Sequence, residues 1–354
     1  MLRERVKIMA SNLPNSFWEW LVLQSSFRSS ILTQGYYELE KEEVSKAVAE
    51  WYENRKNDYG NLYHRYKFSR YPAARKSLLA FQSASFDFYS QTPEPLRRLR
   101  LFAIRTGKGN CLIFNSHVFP LPYGGPVLCS RYFTREFSTR IPRGYRNLVN
   151  SLPIQVNEQS FIKTLHFSGV FTELVRYICG AKEYEIGPSG QLSSSFPFWM
   201  MKGFSRKNNR RLERFMFEGT NDLDECLFPR STDVIVPIEA KIDDGVHFDL
   251  GWHKLAFPCY RFIDNSRPRP FLRDVAGGRR ISGPSGTNKM KIIPVYCLFV
   301  PWGKRTYIYV FPTIEIHKER YGYRNYDVEY GLVLNDVKQF TPRIVLSVEM
   351  NKCF

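Results

Sequence analysis

One apolar, β-branched segment in the second half of the chain limits the possible folds more than any other part. Residues 232–242 read TDVIVPIEAKI, and every second side chain from Val234 to Ile242 is apolar. Successive strand side chains point to opposite faces, so this pattern predicts a strand with one face in a hydrophobic core. Glu239 and Lys241 then share the other face near the end of the strand. Such a pair predicts either a catalytic site or a structural ion pair.

The neighbouring segments predict an α/β protein, or α+β for the chain as a whole. A helical pattern follows the strand, and apolar strands follow at 291–300 and 306–311. Strand, helix and strand in this order predict a βαβ unit with parallel strands. Upstream, we expect one helix over about 158–179 and mainly helices over 13–100, including one that starts near Glu38.

The charge of the chain favours a polyanionic partner. Its 354 residues carry 51 Lys and Arg against 34 Asp and Glu, a formal net charge of +17. Such an excess attracts nucleic acid through long-range electrostatics and counterion release. The sequence shows no basic amphipathic helix, membrane span or signal peptide, so we expect a cytoplasmic protein without a membrane partner. Its seven scattered cysteines lack zinc-ligand spacing.

A second carboxylate is expected beside Glu239. Residues 222–228 read DLDECLF, and the PRST that follows predicts a turn before the Glu239 strand. The two strands should form a hairpin that places Asp224 next to Glu239. Asp222 is the alternative, since it shares a face with Asp224, whereas Glu225 does not.

Asp224, Glu239 and Lys241 together suit metal-dependent phosphodiester hydrolysis. Two carboxylates supply the hard oxygen ligands that Mg²⁺ prefers, and Mn²⁺ can substitute. The metal lowers the pKa of bound water and offsets charge on the phosphate. Lys241 can orient or deprotonate the attacking water, or stabilise the developing negative charge.

The order Asp224, then Glu239-Ala240-Lys241, resembles the signature of the PD-(D/E)xK nucleases. Residues 253–262, HKLAFPCYRF, resemble the helix that carries a Gln and a Pro–aromatic pattern in many restriction-endonuclease-like members. His253 or Lys254 stands near the place of that Gln. The resemblance covers about residues 155–315 and implies a restriction-endonuclease-like mixed-sheet core flanked by helices.

The same resemblance implies a type II restriction enzyme-like activity. The expected reaction is Mg²⁺-dependent, sequence-specific hydrolysis of double-stranded DNA to 5′-phosphate and 3′-hydroxyl products, by a homodimer. Such nucleases often have a carboxylate on the helix before the core. Glu173 and Glu218 are therefore further candidate ligands, and His253 is a further candidate site residue, although an ordinary surface Glu is the alternative for both glutamates.

Three regions are expected along the chain. Residues 1–100 form a helical region, for which a winged-helix or helix-turn-helix DNA-recognition domain is the hypothesis. Residues 101–150 connect through short strands, and residues 151–354 form the nuclease domain. The turn Gly107-Lys108-Gly109 predicts a hairpin and lacks the spacing of a phosphate loop, so no nucleotide cofactor is expected.

Ten basic side chains in three segments are candidates for DNA contact, with a solvated surface as the alternative. They are Arg65, Lys67 and Arg70, then Arg206, Lys207 and Arg210, then Arg267, Arg269, Arg279 and Arg280. Two other functions stay open. One is a non-catalytic DNA-binding protein with a degenerate nuclease fold, in which the Glu239–Lys241 pair is structural. The other is a structure-specific or RNA nuclease, which the Tyr/Arg-rich segment at 59–75 would suit.

Overall fold

The computed structural model describes a mixed α/β protein in which sheet predominates. The described residues are 18–19, 21–40, 86–124, 134–137, 157–187, 189–203, 211–242, 250–263, 290–301, 305–316, 333–336 and 339–349. The chain divides into two compact units. The first comprises residues 1–121, 201–211 and 216–219, and the second comprises residues 122–200, 212–215 and 220–354.

The described helices are α1 (Ser25–Thr33), α2 (Glu94–Arg98), α3 (Glu158–Phe167), α4 (Val170–Cys179) and α5 (His253–Ile263). The described strands are β1 (Tyr36–Leu39), β2 (Leu101–Gly107), β3 (Asn110–Asn115), β4 (Tyr123–Gly124), β5 (Thr134–Phe137), β6 (Tyr184–Ile186), β7 (Gly190–Lys202), β8 (Arg211–Leu223), β9 (Glu225–Pro229), β10 (Val234–Ile242), β11 (Leu250–Gly251), β12 (Met290–Ile292), β13 (Val295–Val300), β14 (Arg305–Val310), β15 (Ile314–Ile316) and β16 (Ile344–Glu349).

The first unit contains an antiparallel sheet in the order β1-β3-β2. Lys108 and Gly109 join β2 to β3 with φ values of 51° and 87°, as a tight hairpin turn requires, so the predicted hairpin is confirmed. The helix expected to start near Glu38 is wrong at its start, because Tyr36–Leu39 pairs with β3 as a strand. The other helices predicted within 41–85 lie outside the described residues. The predicted boundary at residue 100 falls between α2 and β2.

The main sheet of the second unit is built around β10. Its path runs β15-β12-β10-β13-β14-β16-β5, while β9 pairs with β10 and β6 pairs with β9. β10 is parallel to β12 and β13 and antiparallel to β9. The predicted parallel βαβ unit is therefore confirmed. The strand predicted over 291–300 is interrupted at Ile293 and Pro294, since a proline cannot donate to the ladder.

Two helices cover one face of this sheet. Apolar side chains of α3 and α4 form one core with Val236, Ile238 and Ala240 of β10, all three fully buried. The single helix expected over 158–179 is interrupted by Gly169, which begins α4 with a φ of 75°, a conformation that favours glycine. The opposite face of β10 packs against α5. Within the described ranges, no helix has the length and apolar character needed to cross a membrane.

Candidate active site

Glu239 and Lys241 lie near the C-terminal end of β10, on the face opposite the α3–α4 core. Glu239 Oε1 is 3.0 Å from Lys241 Nζ, and only 2% and 11% of the two side chains are exposed. The shared face predicted from the alternating pattern is thus confirmed. Because a buried carboxylate must be paired or neutralised, the ammonium of Lys241 stabilises the charged form of Glu239.

Asp224 reaches the same site from the bend between β8 and β9. β9 pairs with β10 through Ile238 opposite Glu225, and one further step in this register places Asp224 opposite Glu239. Asp224 Oδ2 accepts a hydrogen bond from the backbone N–H of Ala240 at 2.7 Å. Asp222, the alternative carboxylate, is exposed. The hairpin predicted from the turn at 229–232 is confirmed, and its register favours Asp224.

Burial raises the pKa of the Asp224 carboxyl above its usual range. Lys241, the N–H of Ala240 and Lys254 oppose this shift, because each favours the ionised carboxylate, whereas the charge of Glu158 adds to it. All four groups are thus electrostatically coupled to Asp224. The desolvated carboxyl would gain a strong partner in any cation that entered the site.

A third carboxylate, Glu158, comes from the start of α3. Its Oε1 lies 3.0 Å from Lys241 Nζ, with 43% of the side chain exposed. Asn157 caps this helix by accepting a hydrogen bond from Ser160 N, while Ser160 Oγ accepts one from Asn157 N. The cap fixes Glu158 in the first turn, where the helix dipole favours a negative charge. Sequence reasoning missed this residue, although the cap pattern and the predicted helix start at 158 were available signals.

A second lysine reaches the site from α5. Lys254 Nζ is 3.4 Å from Glu239 Oε1, with 16% of the side chain exposed. Its neighbour His253 is buried among aromatic rings, with ring centroids 6.2 Å from Tyr123 and 5.7 Å from Phe257. Of the two residues proposed for this place in the helix, Lys254 is therefore the one that contacts Glu239.

The donor set fits a hard divalent cation. Asp224 and Glu239 offer carboxylate oxygens, and Mg²⁺ is commonly held by one or two carboxylates together with waters and substrate phosphates. Two ammonium groups, those of Lys241 and Lys254, already lie against Glu239 Oε1, so a cation bound to this oxygen would compete with them. A group of three or more His, Cys, Asp or Glu side chains arranged for a metal ion is not found in the described part of the chain.

The two other candidate glutamates make their contacts elsewhere. Glu173 on α4 pairs with Arg176, and both side chains are about half exposed. Glu218 on β8 pairs with Lys108 in the first unit. All ten basic residues proposed to contact DNA lie outside the described residues, in the segments 41–85, 204–210 and 264–289. The second of these segments connects the paired strands β7 and β8.

A buried polar network lies behind Asp224, on the helix-covered face of the sheet. Glu225 Oε2 is 2.9 Å from His166 Nε2, and His166 Nδ1 is 2.9 Å from the Tyr184 hydroxyl. Glu225 Oε1 also accepts a hydrogen bond from Cys226 N at 2.9 Å. Glu225 and Asp224 thus point to opposite faces, as the period of a strand predicts. The network anchors the chain directly after Asp224.

No family of proteins, no curated protein and no solved structure was found to match this chain.

Proposed function

We propose that the chain is a divalent-metal-dependent endonuclease that hydrolyses phosphodiester bonds of double-stranded DNA. The observation that carries this proposal is the position of Asp224, which binds the backbone N–H of Ala240 from the bend just before β9, beside Glu239 of β10, with Lys241 held 3.0 Å from Glu239. A net charge of +17 supports a nucleic-acid substrate. The resemblance to restriction-endonuclease-like PD-(D/E)xK enzymes, which rests on these residues, adds sequence specificity and a homodimer to the proposal.

Each side chain has a distinct task in this reaction. Asp224 and Glu239 would hold the cation, which would supply Lewis acidity and a more acidic water. Lys241 lies between Glu239 and Glu158, 3.0 Å from each, so its ammonium is held in one place. From there it orients the attacking water and stabilises negative charge developing on the phosphate. Glu158 positions Lys241 and adds negative charge that favours a cation.

Recognition of DNA is assigned to the first unit and to the basic segments. The described part of this unit contains helix α1 and a sheet formed by β1 and the β2–β3 hairpin. A winged-helix domain also contains helices and a β-hairpin. Replacing Arg65, Lys67 and Arg70 together by Ala should weaken DNA binding and reduce its salt dependence, because phosphate contacts release counterions. An unchanged salt dependence in an electrophoretic shift assay would remove these residues from the interface.

The activity is tested by incubating the purified protein with plasmid or phage DNA and Mg²⁺. Discrete fragments are expected from the wild type, and none from Glu239→Gln, which keeps the size of the side chain and removes its charge. Glu173→Gln is the matched control, because Glu173 is a half-exposed residue paired with Arg176, and it should cut normally. Undiminished cutting by Glu239→Gln would place the active site elsewhere. Parallel assays on single-stranded DNA and RNA separate a duplex endonuclease from an RNA or structure-specific nuclease.

The second candidate function is a DNA-binding protein without catalytic activity. It is favoured by the close pairing of Glu239 with two lysines, which neutralises the carboxylate without a metal ion. Two results together would favour this function over the nuclease. The wild type would bind DNA tightly but not cleave it in Mg²⁺ or Mn²⁺, and Glu239→Gln would not abolish any binding of Mn²⁺.

A further inference from the structure

The second lysine of the site, Lys254, shares one carboxylate oxygen with Lys241. Lys241 and Lys254 approach the same oxygen, Glu239 Oε1, at 3.0 and 3.4 Å. One ammonium suffices to neutralise one carboxylate. A second desolvated ammonium on the same atom adds a desolvation penalty and repels the first.

The charges of the cluster indicate what the second ammonium is for. Asp224, Glu239 and Glu158 carry three negative charges when ionised, and Lys241 and Lys254 carry two positive charges, which leaves a net charge of −1. A divalent cation brings the cluster to +1. A phosphodiester carries a single negative charge and returns it to zero, whereas a terminal phosphate monoester carries about two at neutral pH.

Lys254 and a divalent cation also compete for one atom. A cation bound by Glu239 would face the Lys254 ammonium at contact distance, and like charges so close repel strongly. Lys254 has a flexible four-carbon side chain that can take a new position. Lys254 is also partly reached by solvent, since 16% of its side chain is exposed against 2% for Glu239.

We propose that Lys254 is a catalytic residue that leaves Glu239 when the cation binds and contacts a non-bridging oxygen of the scissile phosphodiester. This inference rests on the proposed nuclease function. It assigns two lysines to the reaction, with Lys241 fixed between carboxylates and Lys254 exchanged between a carboxylate and the substrate. It also assigns the site to phosphodiesters within a strand in preference to terminal phosphates.

The test compares the wild type with Lys254→Met, Lys254→Arg and Lys163→Met. Lys163→Met is the matched control, since it removes the same charge from an exposed position on α3. Three quantities are measured for each protein: the affinity for Mn²⁺ without DNA, the single-turnover rate of plasmid cleavage at saturating Mg²⁺, and the melting temperature.

Lys254→Met should bind Mn²⁺ about tenfold more tightly, because a competing positive charge is gone, and should cleave about 100-fold more slowly, because a phosphate contact is lost. Lys254→Arg should recover part of the rate, and Lys163→Met should behave as the wild type. A lysine with a structural role only would lower the melting temperature without raising the Mn²⁺ affinity.

The inference is overturned if folded Lys254→Met binds Mn²⁺ no more tightly than the wild type, or cleaves as fast. Should Lys254→Met fail to fold, Lys254→Gln, which keeps a hydrogen-bonding group, takes its place with the same expected results. If the wild type binds Mn²⁺ and cleaves, and the Lys254 variants have the same Mn²⁺ affinity and cleavage rate, only the role of Lys254 is contradicted. A wild type that neither binds Mn²⁺ nor cleaves contradicts the nuclease function and the role of Lys254 together.

Discussion

The buried pair of Glu239 and Lys241 can be tested by a double-mutant cycle on the free energy of unfolding. The cycle consists of Glu239→Gln, Lys241→Met and the double variant, which replace the two charges by neutral side chains of similar size. Coulomb's law with an effective dielectric constant near 20 gives about 5.5 kcal/mol for unit charges 3.0 Å apart. This figure is an upper bound, because each partner has a second ion-pair contact.

Those second contacts reduce the coupling that the cycle measures. In Lys241→Met, Glu239 keeps Lys254 at 3.4 Å, and in Glu239→Gln, Lys241 keeps Glu158 at 3.0 Å. We therefore expect a coupling free energy of about 2–3 kcal/mol, at the high end for residues in contact. The double variant should be less destabilised than the sum of the two single variants, since it leaves no unpaired charge at positions 239 and 241.

Urea unfolding followed by circular dichroism measures the four free energies. The control cycle uses Glu173→Gln and Arg176→Met on α4, an ion pair whose side chains are 45% and 50% exposed, and it should give about 0.5 kcal/mol or less. If the Glu239–Lys241 cycle gave a coupling as small as that of the control, the two charges would not form a desolvated pair. The electrostatic account of the site would then be wrong.

Three further predictions concern the surroundings of this pair. Glu158→Gln should weaken Mn²⁺ binding about tenfold in a titration, because it removes negative charge beside the cation site, and unchanged binding would exclude Glu158 from it. Burial raises the pKa of Asp224, so the stability that its folded-state proton contributes is lost as the pH rises through that pKa. Asp224→Asn, which has no such proton to lose, should therefore gain stability relative to the wild type as urea unfolding is repeated from about pH 4 to neutral pH; a constant difference would contradict this. His166→Ala should cost about 1–3 kcal/mol of unfolding free energy, because Glu225 loses its buried partner. Its Mn²⁺ titration should show little change. Weaker Mn²⁺ binding without a loss of stability would instead place His166 in the site.

The strand pattern was sufficient to predict half of the candidate site. Alternation along β10 predicts Glu239 and Lys241 on one face, and the turn at 229–232 predicts the neighbouring strand, whereas the register of the two strands comes from the structure. The choice between Asp222 and Asp224 needed burial, because both occupy the same face of a regular strand. Only the structure shows that Asp222 is exposed and that Asp224 accepts a hydrogen bond from Ala240.

The remaining residues of the site depend on contacts that sequence spacing does not determine. Glu158 lies 83 residues before Lys241 in the chain, and their contact follows from the packing of α3 against the sheet. Glu173 is a candidate because the resemblance implies a carboxylate on the helix before the core; the structure has a break at Gly169 within this helix, and the residue that meets Lys241 is Glu158 on α3, before the break. Similarly, the resemblance leaves both His253 and Lys254 near the place of the helix Gln, and the packing of α5 on β10 determines that Lys254 meets Glu239.

The hydrogen bond from Ala240 to Asp224 Oδ2 divides the two oxygens of this carboxylate between two tasks. One oxygen completes the ladder of the neighbouring strand where β9 has not yet begun, and it fixes the direction of the side chain. In the proposed nuclease the other oxygen, Oδ1, would be the one left to hold a cation. An asparagine could perform the first task but lacks the charge for the second. In the proposed nuclease a single side chain would thus serve both the strand pairing and the cation.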